Sequence, residues 1–146
     1  MQTRLAKKSE LSTLAQLDRE VNLTAWSYQE YQECLNNKNQ HIYLGIDSGK
    51  IIGCIVYNMV LDEAEILQLW IAKTHQNKGC GKQLLTQLFQ VLGYQVERVF
   101  LEVRENNAIA IKLYHGLKFI EVGKRAGYYK VDGWQFDALI MLKHLK

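Results

Sequence analysis

The chain has 146 residues, of which 48% are hydrophobic and 23% charged, and its formal net charge is +3. This length suits one domain with its own hydrophobic core, and the composition excludes a disordered or fibrous chain. Because the basic residues are dispersed, direct nucleic-acid binding is not predicted. We find no apolar stretch typical of a signal peptide or membrane span, and three widely spaced cysteines indicate free thiols, so we expect a cytoplasmic protein. Four histidines without metal-ligand spacing predict no metal site.

The first elements along the chain are a short strand and two helices. The strand covers residues 3–5, and Ser9 is predicted to cap the helix that follows. Ser27 and Glu30 form an S-x-x-E capping box, in which each side chain satisfies a free backbone N–H of the other residue. This pattern predicts a second helix that runs to about Asn36.

Three strands are predicted next. Residues 41–46 and 51–61 read as a hairpin around a tight turn at residues 47–50. Residues 65–71 resume the apolar pattern after a polar break. The first half of the chain therefore predicts an antiparallel meander.

The second half alternates strands and helices. An apolar face of Leu84, Leu85, Leu88, Val91 and Leu92 predicts the first of these helices, and Asn106 or Asn107 is predicted to cap the second. The predicted elements are a polar loop (74–81), a helix (82–94), a strand (99–103), a helix (about 108–117), a strand (119–122), a loop rich in Gly, Tyr and Trp (125–134) and a last strand (137–142).

The loop before the first of these helices is a candidate phosphate site. Free N–H groups and the positive end of the helix dipole meet there, and Gly79 and Gly81 keep side chains away from them. An ordinary flexible loop is the alternative. The spacing does not match a P-loop, and a dinucleotide fingerprint fits weakly, because Leu84 stands at its third glycine although Glu102 lies where its ribose-binding acid would fall.

Glu102 and Tyr114 are candidate chemical groups. Strand alternation places Glu102 on the same face as Phe100, where partial burial would favour proton acceptance by a carboxylate. A solvent-facing carboxylate paired with Lys or Arg is the alternative. Tyr114 lies on the apolar stripe of its helix, where core packing is the ordinary role of an aromatic side chain.

Taken together, these segments resemble the GNAT superfamily of N-acetyltransferases over almost the whole chain. Gln76, Gly79 and Gly81 match its acetyl-CoA signature Q/R-x-x-G-x-G/A. Within the superfamily, the sequence is most similar to the bacterial ribosomal-protein-alanine N-acetyltransferases. The matching segments are Trp26-Ser27, Leu61-Asp62-Glu63-Ala64, Leu101-Glu102-Val103-Arg104, Asn107-Ala108, Ala110-Ile111, Leu113-Tyr114 and Tyr128-Tyr129.

The resemblance implies an α/β fold of the GNAT type in a single domain, residues 1–146. The expected sheet is mixed, with an antiparallel meander first, parallel strands splayed at the cofactor site, and about four flanking helices. Glu102 would be the general base and Tyr114 the general acid of an acetyl-CoA-dependent transfer. The implied cofactor-binding residues are Leu69, Trp70, Ile71, Gln76, Asn77, Lys78, Gly79, Cys80, Gly81 and Asn107.

The resemblance also implies an acceptor, the N-terminal alanine of a bacterial small-subunit ribosomal protein. It would bind between the first two helices and the 125–134 loop, and Asp62 and Glu63 would attract a basic acceptor tail. A small amine, such as a polyamine or amino sugar, is the first alternative, because the fold does not determine the acceptor. A non-catalytic acyl-CoA-binding module is the second, and a dinucleotide oxidoreductase is a distant third.

One departure from the family pattern concerns backbone strain. Relatives have Leu-Gly-Phe after the catalytic tyrosine, whereas this chain has Leu117-Lys118-Phe119. If that turn is left-handed, Lys118 costs about 1 to 2 kcal/mol there.

Overall fold

Seven strands form one mixed sheet in the computed structural model, which describes residues 1–146. They are β1 (Gln2–Leu5), β2 (Gln40–Asp47), β3 (Lys50–Val60), β4 (Glu63–Ile71), β5 (Arg98–Arg104), β6 (Ile120–Val131) and β7 (Trp134–His144). Their order across the sheet is β1-β2-β3-β4-β5-β7-β6. Only the β4–β5 pair is parallel, so the sheet is antiparallel on both sides of one parallel junction.

Four helices cover the two faces of this sheet. They are α1 (Leu11–Val21), α2 (Tyr28–Leu35), α3 (Cys80–Leu92) and α4 (Ala108–Gly116). The helices α1 and α2 bury apolar side chains against one face, whereas α3 and α4 pack on the other. The predicted α/β fold, with its N-terminal meander and about four helices, is confirmed. None of the helices combines the length and the apolar character that crossing a membrane requires.

Two local predictions are confirmed by backbone geometry. The Ser27 hydroxyl accepts the Glu30 N–H at 3.2 Å, and the Glu30 carboxylate accepts the Ser27 N–H at 3.1 Å, which completes the capping box of α2. The β2–β3 hairpin turns through Ser48 and Gly49, both with positive φ, as a two-residue turn between twisted strands requires.

The parallel strands β4 and β5 separate along their length. They pair with each other from Glu63 and Arg98 as far as Ile66 and Leu101. Beyond these residues β4 continues to Ile71 beside β3, and β5 continues to Arg104 beside β7, without pairing with each other. A bulge at Leu67, which has no register partner in β3, begins where the separation begins. The predicted splay of the parallel strands is therefore confirmed, and it opens a cleft in the middle of the sheet.

The prediction that Ser9 caps the first helix is wrong. Ser9 lies inside a 3₁₀ turn, Lys8–Glu10, and Glu10 occupies the cap position of α1. The Arg4 guanidinium contacts both Glu10 carboxylate oxygens, at 2.8 and 2.7 Å, and holds the pKa of Glu10 down at about 2. This contact joins β1 to the start of α1 and fixes where the helix begins. The capping preference of a single residue does not predict such a contact.

The 125–134 segment is not the predicted loop. It forms the outer half of a β-hairpin, in which β6 reaches Val131 and β7 begins at Trp134. Asp132 and Gly133 make the turn with positive φ. A register shift between Arg125 and Tyr129 interrupts the strand alternation, which is why the sequence pattern there reads as a loop.

Smaller corrections concern the helix α3 and the turn after α4. The helix α3 begins at Cys80, two residues before the predicted start, and Val91, expected on its apolar face, is 57% exposed because it lies at the edge of that face. The left-handed turn anticipated at Lys118 is present, with φ of +73°.

Candidate active site

The cleft between β4 and β5 is a cavity of about 530 Å³. It is lined by the part of β4 beyond its pairing with β5, the loop before α3, the end of β5 and the inner face of α4. Of the twelve residues predicted for the site, eleven line this cavity: Leu69, Trp70, Ile71, Gln76, Asn77, Gly79, Cys80, Gly81, Glu102, Asn107 and Tyr114. The exception is Lys78, whose ammonium donates to the Thr74 carbonyl at 3.0 Å outside the lining.

The loop before α3 presents free backbone donors to this cavity. Gly79 caps the helix with φ of +79°, and no side chain caps the first N–H groups of α3. The Gln76 side chain donates to the Ile71 carbonyl at 2.9 Å and so ties the loop to the end of β4. A Cβ on Gly79 would meet no protein atom within 4 Å, so the space beside this residue is open, whereas a Cβ on Gly81 would be in van der Waals contact with Leu113 at 3.5 Å. The arrangement suits an anionic group such as a phosphate.

The cap of α4 also lines the cavity. Asn107 Oδ1 accepts the Ala110 N–H at 3.2 Å, which confirms Asn107 as the cap of this helix. The side-chain amide group of Asn107 makes no hydrogen bond within the protein, and the residue lines the cavity. It is therefore available as a donor to a bound ligand.

Glu102 lies at the junction of two cavities. A second groove, of about 300 Å³, is lined by residues of β3, β4, β5 and β7, and it shares only Leu101 and Glu102 with the first cavity. The Glu102 side chain is 19% exposed, and its Oε1 accepts a hydrogen bond from Arg125 at 2.8 Å. The other oxygen, Oε2, has no partner in the protein and is not sealed from solvent. Arg125 thus holds one carboxylate oxygen of Glu102 by a hydrogen bond, and the other oxygen is free to accept one.

The groove beside Glu102 carries a further acidic group, Glu65. Burial raises the pKa of Glu65, and the nearby charge of Glu102 adds to this effect. Arg125, which binds Glu102, also stacks over the Tyr128 ring, 4.0 Å from its centroid. The groove is therefore acidic. Arg125, which lies in β6 where the register shifts, partly neutralises its negative charge.

Asp62 and Glu63 contact a cation that belongs to the protein. Arg98 lies 3.3 Å from Asp62 and 3.0 Å from Glu63, although its Nε lacks hydrogen-bond geometry to the Glu63 carboxylate. These ion pairs compensate the negative charges of Asp62 and Glu63, which were predicted from the sequence to attract a basic acceptor tail. Glu65, which has no such ion pair, is the better candidate for that role.

Tyr114 points from α4 toward the cavity. Its side chain is 6% exposed and its ring packs against Phe119, with centroids 5.5 Å apart. The hydroxyl makes no hydrogen bond within the protein but is not sealed from the cavity. Burial raises the pKa of Tyr114, and Tyr129 raises it further, so the phenol stays protonated at neutral pH.

A buried network beside the cleft was missed by the sequence analysis. Asp18 is completely buried and accepts hydrogen bonds from the side chains of Asn22, Tyr31 and Gln68 and from the Trp26 N–H. The sequence signal was an acidic residue on the apolar stripe of α1, four residues after Leu14. Helical periodicity places Asp18 on that stripe, but two of its partners, Tyr31 and Gln68, lie 13 and 50 residues away in the chain.

No group of three or more His, Cys, Asp or Glu side chains is close enough to hold a metal ion. The three cysteines are free, and Cys34 and Cys54 are buried.

Comparison with known proteins gives one consistent result. A sequence model of the acetyltransferase (GNAT) family matches residues 9–119. The chain is 35% identical over 137 residues to the [ribosomal protein bS18]-alanine N-acetyltransferase of Haemophilus influenzae, covering 90% of each protein. It is 29% identical to the enzyme of the same name from Escherichia coli K12 over 134 residues, 91% of this chain and 90% of that protein.

Solved structures agree. The crystal structure of the ribosomal-protein-S18-alanine N-acetyltransferase from Escherichia coli superimposes with a TM-score of 0.93 at 26% identity, covering 99% of this chain and 94% of that one. Arabidopsis thaliana NAA60 in complex with acetyl-CoA shares the fold, with a TM-score of 0.87 at 22% identity over 98% and 97% of the two chains.

Proposed function

The chain belongs to the acetyltransferase (GNAT) family and is an N-acetyltransferase, and we propose that it transfers the acetyl group of acetyl-CoA to the α-amine of a protein N-terminus. The observation that carries this proposal is the meeting of two cavities at Glu102. The larger one suits a donor with a pyrophosphate, because it includes the free N–H groups of α3. The smaller one would receive the acceptor.

We further propose that the acceptor is the N-terminal alanine of a ribosomal protein. The Haemophilus influenzae relative, which matches 90% of this chain, is named as an alanine N-acetyltransferase of ribosomal protein bS18, and this name supports the proposal. An α-amine also suits the site chemically. Its pKa of about 7.7 to 8.0 leaves roughly 300-fold more of it unprotonated at neutral pH than of a lysine amine with a pKa of about 10.4. An unprotonated amine is required for attack on a thioester.

In the proposed mechanism, Glu102 takes the proton that the attacking amine loses. Its Oε2 is free to accept that proton, directly or through a water, while Arg125 holds Oε1. A positioned general base contributes about 10²- to 10⁴-fold to the rate. Backbone N–H groups near Trp70 and Ile71, on the side of β4 that no longer pairs with β5, would stabilise the negative charge that develops on the carbonyl oxygen.

Tyr114 is the proposed general acid. The phenol has a hydroxyl open to the donor cavity, and burial raises its pKa, so it keeps its proton until a more basic group appears. The thiolate that leaves the thioester is such a group. Glu102 and Tyr114 line the same cavity from β5 and α4, which supports a proton donor and a proton acceptor on two sides of one reaction centre.

A polyamine is the second candidate acceptor, because the groove is acidic. Glu65 has no ion-pair partner, and a cationic amine would complement it as a basic peptide would. The sequence relatives favour the peptide, and the two acceptors are separated by direct competition.

The mechanistic test is Glu102→Gln, which keeps the size of the side chain and removes the base. We expect kcat/KM to fall about 10²- to 10⁴-fold while the Kd for acetyl-CoA, measured by calorimetry, stays within twofold. Glu105→Gln, an exposed change that lines neither cavity, is the matched control and should keep full activity. Turnover of Glu102→Gln within threefold of wild type would exclude Glu102 as the base.

A further inference from the structure

The β6–β7 hairpin contains a bulge beside the candidate active site. Regular pairing with β7 stops after Arg125 and resumes at Tyr129, so residues 126–128 of β6 all face one residue of β7, Asp137. Bulges next to active sites often serve to redirect a side chain. The two residues that flank this bulge both reach the site, because Arg125 binds Glu102 and Tyr129 lines the larger cavity.

The contact between Arg125 and Glu102 does not join neighbouring strands. Arg125 belongs to β6 and Glu102 to β5, and β7 lies between these two strands. The arginine side chain therefore crosses β7 to place its Nη1 at 2.8 Å from Glu102 Oε1. The guanidinium carbon also lies 4.0 Å from the centroid of the Tyr128 ring, which belongs to the bulge. The position of the Arg125 side chain thus depends on the conformation of residues 126–128.

The side chain of Asp137 holds this bulge in place. Where the ladder between β6 and β7 is interrupted, Asp137 Oδ1 accepts the Gly127 N–H at 2.9 Å. Gly127 has a φ of +62°, and a Cβ there would lie 3.2 Å from the Gln135 side-chain oxygen, so the bulge packs closely against β7. The Asp137 carbonyl accepts the Glu105 N–H at 2.9 Å. Asp137 therefore joins the bulge to the chain that leaves the end of β5.

The preferences of a β-strand do not explain an aspartate at this position. Strands are depleted in aspartate, yet Asp137 lies within β7, a strand of 11 residues. No lysine, arginine or histidine forms an ion pair with its carboxylate. The Gly127 N–H is the one hydrogen-bond donor that the protein provides to this carboxylate. The contact that the side chain of Asp137 makes is therefore the one that holds the bulge.

We propose that Asp137 is a positioning residue for the general base: it holds the β6 bulge in the conformation from which Arg125 reaches across β7 and orients Glu102. The inference rests on the proposed function, in which Glu102 takes the proton of the attacking amine. Release of the bulge should let Arg125 leave Glu102, and the carboxylate should then spend less time in its reactive orientation. A misplacement of about 1 Å can lower a rate about 100-fold. We therefore expect an effect on kcat rather than on donor binding.

The first test compares Asp137→Ala with Asp137→Asn, using acetyl-CoA and a basic peptide that begins with alanine. Alanine removes the acceptor of the Gly127 N–H, whereas asparagine keeps a side-chain oxygen that accepts it. We expect kcat to fall at least tenfold in Asp137→Ala and to stay within threefold of wild type in Asp137→Asn, with the acetyl-CoA KM within threefold in both. A kcat for folded Asp137→Ala within twofold of wild type would overturn the inference.

A double-mutant cycle tests whether Asp137 acts through Arg125. Arg125→Ala changes an exposed side chain and should itself lower kcat about tenfold. In the Arg125→Ala background, Asp137→Ala should lower kcat by no more than a further twofold, because the contact that it supports is already absent. A further loss as large as that in the wild-type background would show that the two residues act independently, and it would overturn the inference.

Val131→Ala is the control for general weakening of the hairpin. Val131 pairs with Trp134 beyond the bulge and lines neither cavity, so this variant should lower stability and keep kcat within twofold of wild type. If Asp137→Ala does not fold, Gly127→Ala replaces it, because a Cβ at a φ of +62° strains the bulge and leaves Asp137 unchanged. Gly127→Ala should lower kcat at least threefold, and an unchanged kcat would then overturn the inference.

NMR provides a readout that does not depend on activity. The Gly127 N–H donates to Asp137, so its hydrogen exchange should accelerate at least tenfold in Asp137→Ala and less than threefold in Asp137→Asn. In Asp137→Ala, the guanidinium protons of Arg125, now released from Glu102, should exchange at least fivefold faster. An unchanged exchange rate of these Arg125 protons would overturn the inference even if the wild-type protein acetylates no peptide. Faster exchange without any peptide acetylation would support the coupling of Asp137 to Arg125 and would count against the proposed function alone.

Discussion

The proposed acid role of Tyr114 predicts a large kinetic effect from the loss of a single oxygen. Tyr114→Phe retains the ring that packs against Phe119 and removes a hydroxyl that bonds to no protein group. Its expected cost in stability is therefore small, about 0.5 kcal/mol or less. A general acid contributes about 10²- to 10⁴-fold, which corresponds to about 2.7 to 5.4 kcal/mol of transition-state stabilisation.

The assay measures kcat from release of the coenzyme A thiol, with both substrates saturating. Tyr57→Phe is the matched control, because Tyr57 is a tyrosine of the same apolar cluster, is 6% exposed and lines neither cavity. We expect Tyr114→Phe to lose at least 100-fold in kcat with an acetyl-CoA KM within twofold, and Tyr57→Phe to keep its kcat. A kcat for Tyr114→Phe within threefold of wild type would refute the acid role.

Three further changes have signs that follow from the structure. Lys118→Gly removes the strain of a side chain at a left-handed position, φ of +73°, and should raise the free energy of unfolding, measured by urea denaturation, by about 1 kcal/mol. Lys112→Gly, the same change inside α4, is the control and should lower the free energy of unfolding by about 1 kcal/mol. Because the pKa of Glu10 is lowered to about 2 by Arg4, its contribution to stability is present above a pH of about 4.5 and is lost between there and about 2. The stability difference between wild type and Glu10→Gln should shrink over that interval on acid titration, and a constant difference would contradict it. Glu65→Gln should raise the KM for a basic peptide several-fold and leave that for a neutral peptide unchanged, and equal effects on both peptides would refute the assigned role of Glu65.

The loop before α3 and the cap of α4 could be predicted because they depend on local sequence. Gly79 and Gly81 lie at the start of α3, and Asn107 caps the start of α4. Each of these residues is within a few positions of the helix whose start it marks. The alternation of side chains along β5 likewise predicted correctly that Glu102 lies on the same face as Phe100. These features need only the chain order and the geometry of one strand or one helix end.

Features that depend on distant contacts could not be predicted in this way. The start of α1 is set by Arg4 and Glu10, which meet across a turn, and the Ser9 cap prediction fails for that reason. Asp18 receives a bond from Gln68, fifty residues away in the chain. The bulge that begins after Arg125 interrupts the alternation of buried and exposed side chains by which a strand is recognised, so residues 125–134 of the β6–β7 hairpin were predicted to be a loop.

Mass spectrometry of matched peptides is the most direct test of whether the acceptor is a protein α-amine. A basic peptide that begins with alanine and contains lysine is incubated with the protein and acetyl-CoA, beside a copy with a blocked N-terminus and beside spermidine. We expect one acetyl group on the α-amine of the free peptide, none on the blocked copy, and preference for the free peptide over spermidine. Acetylation of lysine in both peptides, or of spermidine alone, would contradict it.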